Sequence, residues 1–160
     1  MQSISTPQIS PLPSRFKASI DDAVLSFLIV DDALMNRKIL RRMLEAEPAL
    51  HGCSISEAGD GSEAVSMVAQ APPHTFHCIF MDSVMTTMHG PEATKVLRND
   101  FEYKGIILGL TGNAHPVEIE SFLQSGLDKV LLKPLKRSTM MESLEHAKLI
   151  NRLNVIENSL

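Results

Sequence analysis

The sequence predicts an α/β protein built around a parallel sheet. From about residue 26 onward, short apolar runs alternate with amphipathic segments, and five rounds of that alternation can be counted. The first, third and fourth runs are the most uniformly apolar, as expected of central strands covered by helices on both faces.

The predicted strands fall over 27–30, 54–58, 78–81, 106–110 and 130–132. After the first, Met35, Ile39 and Met43, together with Leu40 and Leu44, recur at helical spacing and predict a helix with one buried stripe. Arg37, Lys38, Arg41 and Arg42 take its opposite face, read either as a solvated surface or as a dock for an acidic partner. Further helices are expected over 62–70, 91–99, 116–124 and 136–153. Pro91 and Pro116 stand where a first-turn proline is tolerated, and Gly126 follows the fourth helix as a stop.

A chain of 160 residues holds one ordinary domain plus a tail. The domain is expected over 26–153, with 1–25 a disordered tail or linker and 154–160 a short C-terminal tail. The first twenty residues lack acids and carry Arg15 and Lys17, as a transit peptide would, but Pro7, Pro11 and Pro13 would break an amphipathic helix. No DNA-binding or enzymatic output module is expected after the last helix, so output would lie elsewhere: in a stand-alone protein that signals by docking, or in a parent hybrid kinase.

A formal charge of −4 and 4% aromatic residues argue against a nucleic-acid binder. The longest apolar runs are too short for membrane insertion. Cys53 and Cys78 are not at metal-ligand spacing and read as reduced core thiols, consistent with a cytoplasmic or nuclear protein.

In an open parallel sheet, ligands bind beyond the carboxyl ends of the strands. Those positions carry Asp31 and Asp32 after strand one, Asp82 after strand three, Thr111 after strand four, and Lys133 with Pro134 after strand five. Three carboxylates at one crevice repel one another unless a cation joins them. With no Cys or His among them, the set suits Mg²⁺ better than Zn²⁺. Lys133 and Thr111 offer an ammonium and a hydroxyl to phosphoryl oxygens, and phosphoryl transfer needs little beyond positioning and charge neutralisation. Any lone Asp after a strand is usually a turn former or helix cap, and Asp31-Asp32 could cap the first helix. That reading leaves Lys133 without explanation.

In order and spacing, Asp31-Asp32, Asp82, Thr111 and Lys133-Pro134 resemble the signature set of the response-regulator receiver family, over roughly 26–153. The run from Asp82 through Met85 and Met88 to Gly90 resembles its D-x-x-M-P-x-M-D-G loop. The resemblance implies a flavodoxin-like (βα)5 three-layer sandwich with strand order 2-1-3-4-5. It implies Asp82 as phosphoacceptor and Asp32, Asp82 and the Val84 backbone carbonyl as direct Mg²⁺ ligands, with Asp31 acting through water. Lys133 would neutralise the phosphoryl oxygens, and the Thr111 hydroxyl would move toward them after transfer. It also implies a cis Lys133-Pro134 peptide and a partner that is a histidine kinase or histidine phosphotransfer domain. The chain would be a signalling domain that promotes its own phosphorylation and dephosphorylation, not an enzyme.

The sequence departs from that pattern in several places. Thr86 replaces the loop proline, and His89 replaces the acid before Gly90. Val84 is apolar where many members are polar, Asn113 cannot act as a base, and Val130 stands in place of the switching aromatic. Receivers of hybrid histidine kinases frequently lack that aromatic, so the resemblance points toward a relay component. Met85 and Met88 read as loop anchors on the core, and His89 and His115 as surface residues near the crevice. Two alternatives remain. A phosphohydrolase of the haloacid-dehalogenase type would want a second Asp where Val84 stands, and its metal acids late in the chain. A phosphorylation-independent pseudo-receiver would be expected to have lost Asp82, Asp32 or Lys133.

Overall fold

The structure is a computed structural model that describes residues 24–146. The tail expected over 1–25 lies almost wholly outside the described residues, as do residues 147–153 of the expected last helix and the expected tail at 154–160. Five strands form one parallel sheet: β1 (Ser26–Val30), β2 (Ser54–Ala58), β3 (Cys78–Asp82), β4 (Ile106–Thr111) and β5 (Lys129–Leu132), in order β2-β1-β3-β4-β5. They alternate with α1 (Leu34–Glu45), α2 (Gly61–Gln70), α3 (Gly90–Asn99), α4 (Pro116–Gln124) and α5 (residues 137–146).

Alternation along the strands builds the two faces. Phe27 and Ile29 of β1 point with Phe80 of β3 toward Leu40 and Leu44 of α1 and Met140 and Leu144 of α5. Leu28 and Val30 point with Ile79 and Met81 toward Ala64 of α2, Ala93 and Leu97 of α3, and Phe122 of α4. The sheet is therefore the middle of three layers. The rings of Phe27 and Phe80 stack tilted at 6.1 Å between centroids. The expected centrality of strands one, three and four holds: β3 and β4 are buried throughout, as is β1 beyond Ser26, while the edge strands β2 and β5 are mostly half-buried or exposed.

The first helix differs from expectation. Leu40 and Leu44 are buried, but Met35 is 65% and Ile39 51% exposed. At about 100° per residue, Ile39 stands about 100° and Met35 about 140° from Leu40, on another arc of the cylinder. Periodicity marked the apolar positions and merged two faces into one stripe. The basic face divides as well. Arg37 and Arg41 both bind Glu57 of β2, with nitrogen–oxygen distances of 3.2 and 2.6 Å, so only Lys38 and Arg42 of that quartet remain exposed.

Helix ends follow local chemistry. Asp60 accepts from the amides of Ser62 and Glu63 and caps α2. Gly126 takes a φ of +108° after α4, where a side chain would be strained.

Candidate functional site

Strand register brings the predicted residues together. Val30 pairs with Met81, so the next residues, Asp31 and Asp82, emerge side by side at the carboxyl edge. Thr111 pairs with Leu132, so Lys133 leaves β5 one residue further along. Its peptide to Pro134 is cis, as the resemblance implied.

Asp31 is 2% exposed and fully engaged. Its Oδ1 accepts from the Ala33 amide at 2.8 Å, the Asn36 amide nitrogen reaches both carboxylate oxygens, and the Lys133 ammonium lies 3.0 Å from Oδ2. Asp82 is buried, and its Oδ1 lies 2.7 Å from the same ammonium. Asp32 is exposed and accepts from the Thr86 hydroxyl at 3.1 Å. The helix-cap reading of these acids does not hold: the cap residue of α1 is Ala33, and no side chain caps it.

Carboxylate oxygens of Asp31, Asp32 and Asp82 lie within 4.8 Å of one another. Burial raises the Asp82 carboxyl above its ordinary pKa, the hydrogen bond from Lys133 opposes that, and the Asp31 charge adds to it. Burial alone would lower Lys133, but its bonds to Asp82 and Asp31 outweigh burial and the net direction is upward. Three anions against one ammonium leave two negative charges in a partly buried crevice. An all-oxygen donor set with that surplus fits a hard divalent cation such as Mg²⁺.

The remaining predicted residues sit nearby without joining this network. The Thr111 hydroxyl, buried, accepts from the Asn113 amide at 3.1 Å and makes no hydrogen bond to Asp82 or Lys133. Val84 follows Asp82 by two residues on the β3–α3 loop, with its side chain exposed. Met85 is buried in the core as a loop anchor, and Met88 packs against it from the same loop. His89 is exposed and accepts from the Met85 amide at 3.1 Å, while His115 immediately precedes α4 at its N-cap position. Val130 is half-buried against the core that contains Phe122.

Three contributors escaped the sequence reading. Asn36, five residues after Asp31 in the first turn of α1, reaches back to both oxygens of its carboxylate, which no spacing motif marks. Arg37 donates to the Asp31 carbonyl at 2.6 Å. Thr86 was noted only as a missing proline.

The sequence model of the response regulator receiver domain matches residues 27–145. The chain belongs to the response-regulator receiver family. Among curated relatives it is 33% identical over 119 residues to the osmosensing histidine protein kinase SLN1 of Saccharomyces cerevisiae, covering 73% of this chain and 10% of that protein. It is 31% identical over 137 residues to two-component system protein A of Emericella nidulans, covering 84% and 19%. The chain thus spans about a tenth to a fifth of the length of these relatives. Among solved structures it resembles the receiver of Saccharomyces cerevisiae Ssk1, crystallised with the histidine phosphotransfer protein Ypd1, at 27% identity and a TM-score of 0.69 over 79% of this chain and 90% of that one. It is equally similar in sequence, 27%, to the receiver of the Pseudomonas aeruginosa sensor kinase PA1611, whose cleft holds a magnesium ion. The TM-score is 0.66 over 79% of this chain and 98% of that one. A receiver is a signalling domain and not an enzyme in the ordinary sense. No helix among the described residues is long and apolar enough to cross a membrane.

Proposed function

We propose that this receiver is a phosphoacceptor in a phosphorelay, taking a phosphoryl group from the phosphohistidine of a histidine kinase or histidine phosphotransfer domain onto Asp82. The observation that carries this reading is the Lys133 ammonium held between Asp82 and Asp31 at the carboxyl edge of the sheet, beside an exposed Asp32. An Asp82 oxygen attacks phosphorus as the phosphorus–nitrogen bond to the imidazole breaks, and the imidazole nitrogen keeps the electron pair. The product is an aspartyl phosphate.

Lys133 neutralises charge on the phosphoryl oxygens as it arrives. Asp31, Asp32, Asp82 and the Val84 carbonyl would hold Mg²⁺, which supplies further charge neutralisation when bound. The Thr111 hydroxyl would leave the Asn113 amide for a phosphoryl oxygen. The same residues would serve self-catalysed phosphorylation from small donors and dephosphorylation by water. Leu34, Met35 and Ile39 of α1, the helix that follows Asp31 and Asp32, and Val84 of the loop that follows Asp82 are exposed, and such apolar side chains suit an apolar helix face of the phosphohistidine partner. A cytoplasmic or nuclear setting accords with the free thiols of Cys53 and Cys78.

A phosphohydrolase reading finds no acid where it needs one, since Val84 occupies the position two residues after Asp82. A pseudo-receiver reading is disfavoured by the intact set of Asp82, Asp32 and Lys133. Incubation with acetyl phosphate and Mg²⁺ should add one phosphoryl group to the wild-type chain by intact mass, and none to Asp82→Asn. Undiminished labelling of that variant would sink the proposal.

A further inference from the structure

The three acids of the crevice are held very unequally. Asp31 is buried among Ala33, Asn36 and Lys133, and Asp82 is buried against Lys133. Asp32 is exposed, and among the described residues its carboxylate has one hydrogen-bond partner, the Thr86 hydroxyl at 3.1 Å. An exposed carboxylate on a loop otherwise turns freely, and its direction decides whether the third ligand faces the other two.

Thr86 is itself well placed to do this. Its β3–α3 loop is tied down on both sides: the Met85 amide donates to His89, the Gly90 amide to the Ser83 carbonyl at 3.0 Å, and the Gly61 amide to the Met88 carbonyl at 3.2 Å. Gly61 allows that last contact, because a Cβ there would stand 2.6 Å from the Met88 carbonyl oxygen. The neighbouring Thr87 hydroxyl faces Asp60, where it joins Ser62 in holding that carboxylate well below its ordinary pKa. Thr86 thus ties the loop after β3 to the loop after β1. A β-branched residue on an anchored backbone also has a restricted χ1, so its hydroxyl has a defined direction.

We propose that Thr86 is a positioning residue of the cation site, whose hydroxyl orients Asp32 toward Asp31 and Asp82. The proline that the family places here has no donor to offer, so the device belongs to this chain. The inference rests on the Mg²⁺-dependent reading above. A hydrogen bond to a ligand carboxylate fixes its orientation without joining the chemistry.

The test is a Mg²⁺ titration of the wild type, Thr86→Val and Thr86→Ser by calorimetry, with thermal unfolding measured without Mg²⁺. Valine keeps the shape and loses the hydroxyl, so its Mg²⁺ affinity should fall about three- to tenfold, the worth of one exposed hydrogen bond to a charged group. Serine should stay within about twofold of wild type. Both variants should keep the wild-type unfolding temperature in the absence of Mg²⁺, so that a weakened affinity reads on the site and not on the fold. Unchanged or tighter Mg²⁺ binding by Thr86→Val, or a serine variant as weak as the valine one, overturns the role of Thr86. A wild type that binds no Mg²⁺ overturns the underlying reading instead.

Discussion

Lys133 reaches from the end of β5 to within 2.7 Å of Asp82 on β3, spanning the β4 strand between them. The same ammonium touches Asp31, so one side chain links three strands at their carboxyl edge. Both carboxylates are buried, and neither can be desolvated comfortably as an anion without that charge.

Lys133→Ala should therefore destabilise the metal-free protein. Breaking a buried pair costs several kcal/mol, and because Lys133 is 28% exposed the loss should be about 1–3 kcal/mol. Mg²⁺ should restore part of that stability, since the two carboxylates then share a cation. Urea unfolding with and without Mg²⁺ measures both effects, and phosphorylation of the variant should be severely impaired while Mg²⁺ still binds. A variant that loses Mg²⁺ binding alone, with transfer intact once metal is saturating, contradicts the role assigned to Lys133.

Gly90 and Gly112 should differ sharply in their tolerance of the same change. A Cβ on Gly90 would stand 2.1 Å from the Asp82 carbonyl oxygen, so Gly90→Ala must displace the backbone that carries the proposed acceptor. A Cβ on Gly112 meets nothing within 4 Å. Gly90→Ala should lower the unfolding temperature and slow phosphorylation, whereas Gly112→Ala should leave both near wild type. Differential scanning fluorimetry and a phosphorylation time course suffice to compare them.

Asp60 gives a pH-dependent contribution. Hydrogen bonds from Ser62 and Thr87 hold its carboxyl well below the ordinary value in the folded state. Its stabilisation is therefore fully present above the unfolded pKa of about 4 and fades as pH falls below that toward the folded value. Asp60→Ala, which removes the α2 cap, should cost about 1 kcal/mol between pH 5 and pH 7. Denaturation series from pH 7 to pH 3 should show the gap between the two proteins narrowing only below about pH 4. A gap that narrows above pH 5 would contradict the assignment.

Strands β1, β3 and β4 were legible because each is a short apolar run buried on both faces, whereas β2, Ser-Ile-Ser-Glu-Ala, alternates polar and apolar residues as a half-buried edge strand does. The acids and Lys133 were legible because a parallel sheet gathers whatever follows its strands. Burial on α1 was harder to read: apolar positions on a helix reveal themselves by spacing, but Met35 and Ile39 differ from Leu40 and Leu44 only in which arc meets the sheet. Pairings such as Arg37 and Arg41 with Glu57, or Thr86 with Asp32, join residues far apart in sequence. No local pattern marks such pairs, and only the strand order brings them within reach.

The central claim is that Asp82 carries the phosphoryl group, and chemical mapping of the modified side chain tests it most directly. After transfer from a phosphorylated histidine phosphotransfer domain in Mg²⁺, borohydride reduction converts an aspartyl phosphate to homoserine, which peptide mass spectrometry locates. The expected result is homoserine at position 82 and at no other aspartate. Homoserine at Asp31 or Asp32, or a label that resists borohydride and sits on a hydroxyl or an imidazole, would contradict it.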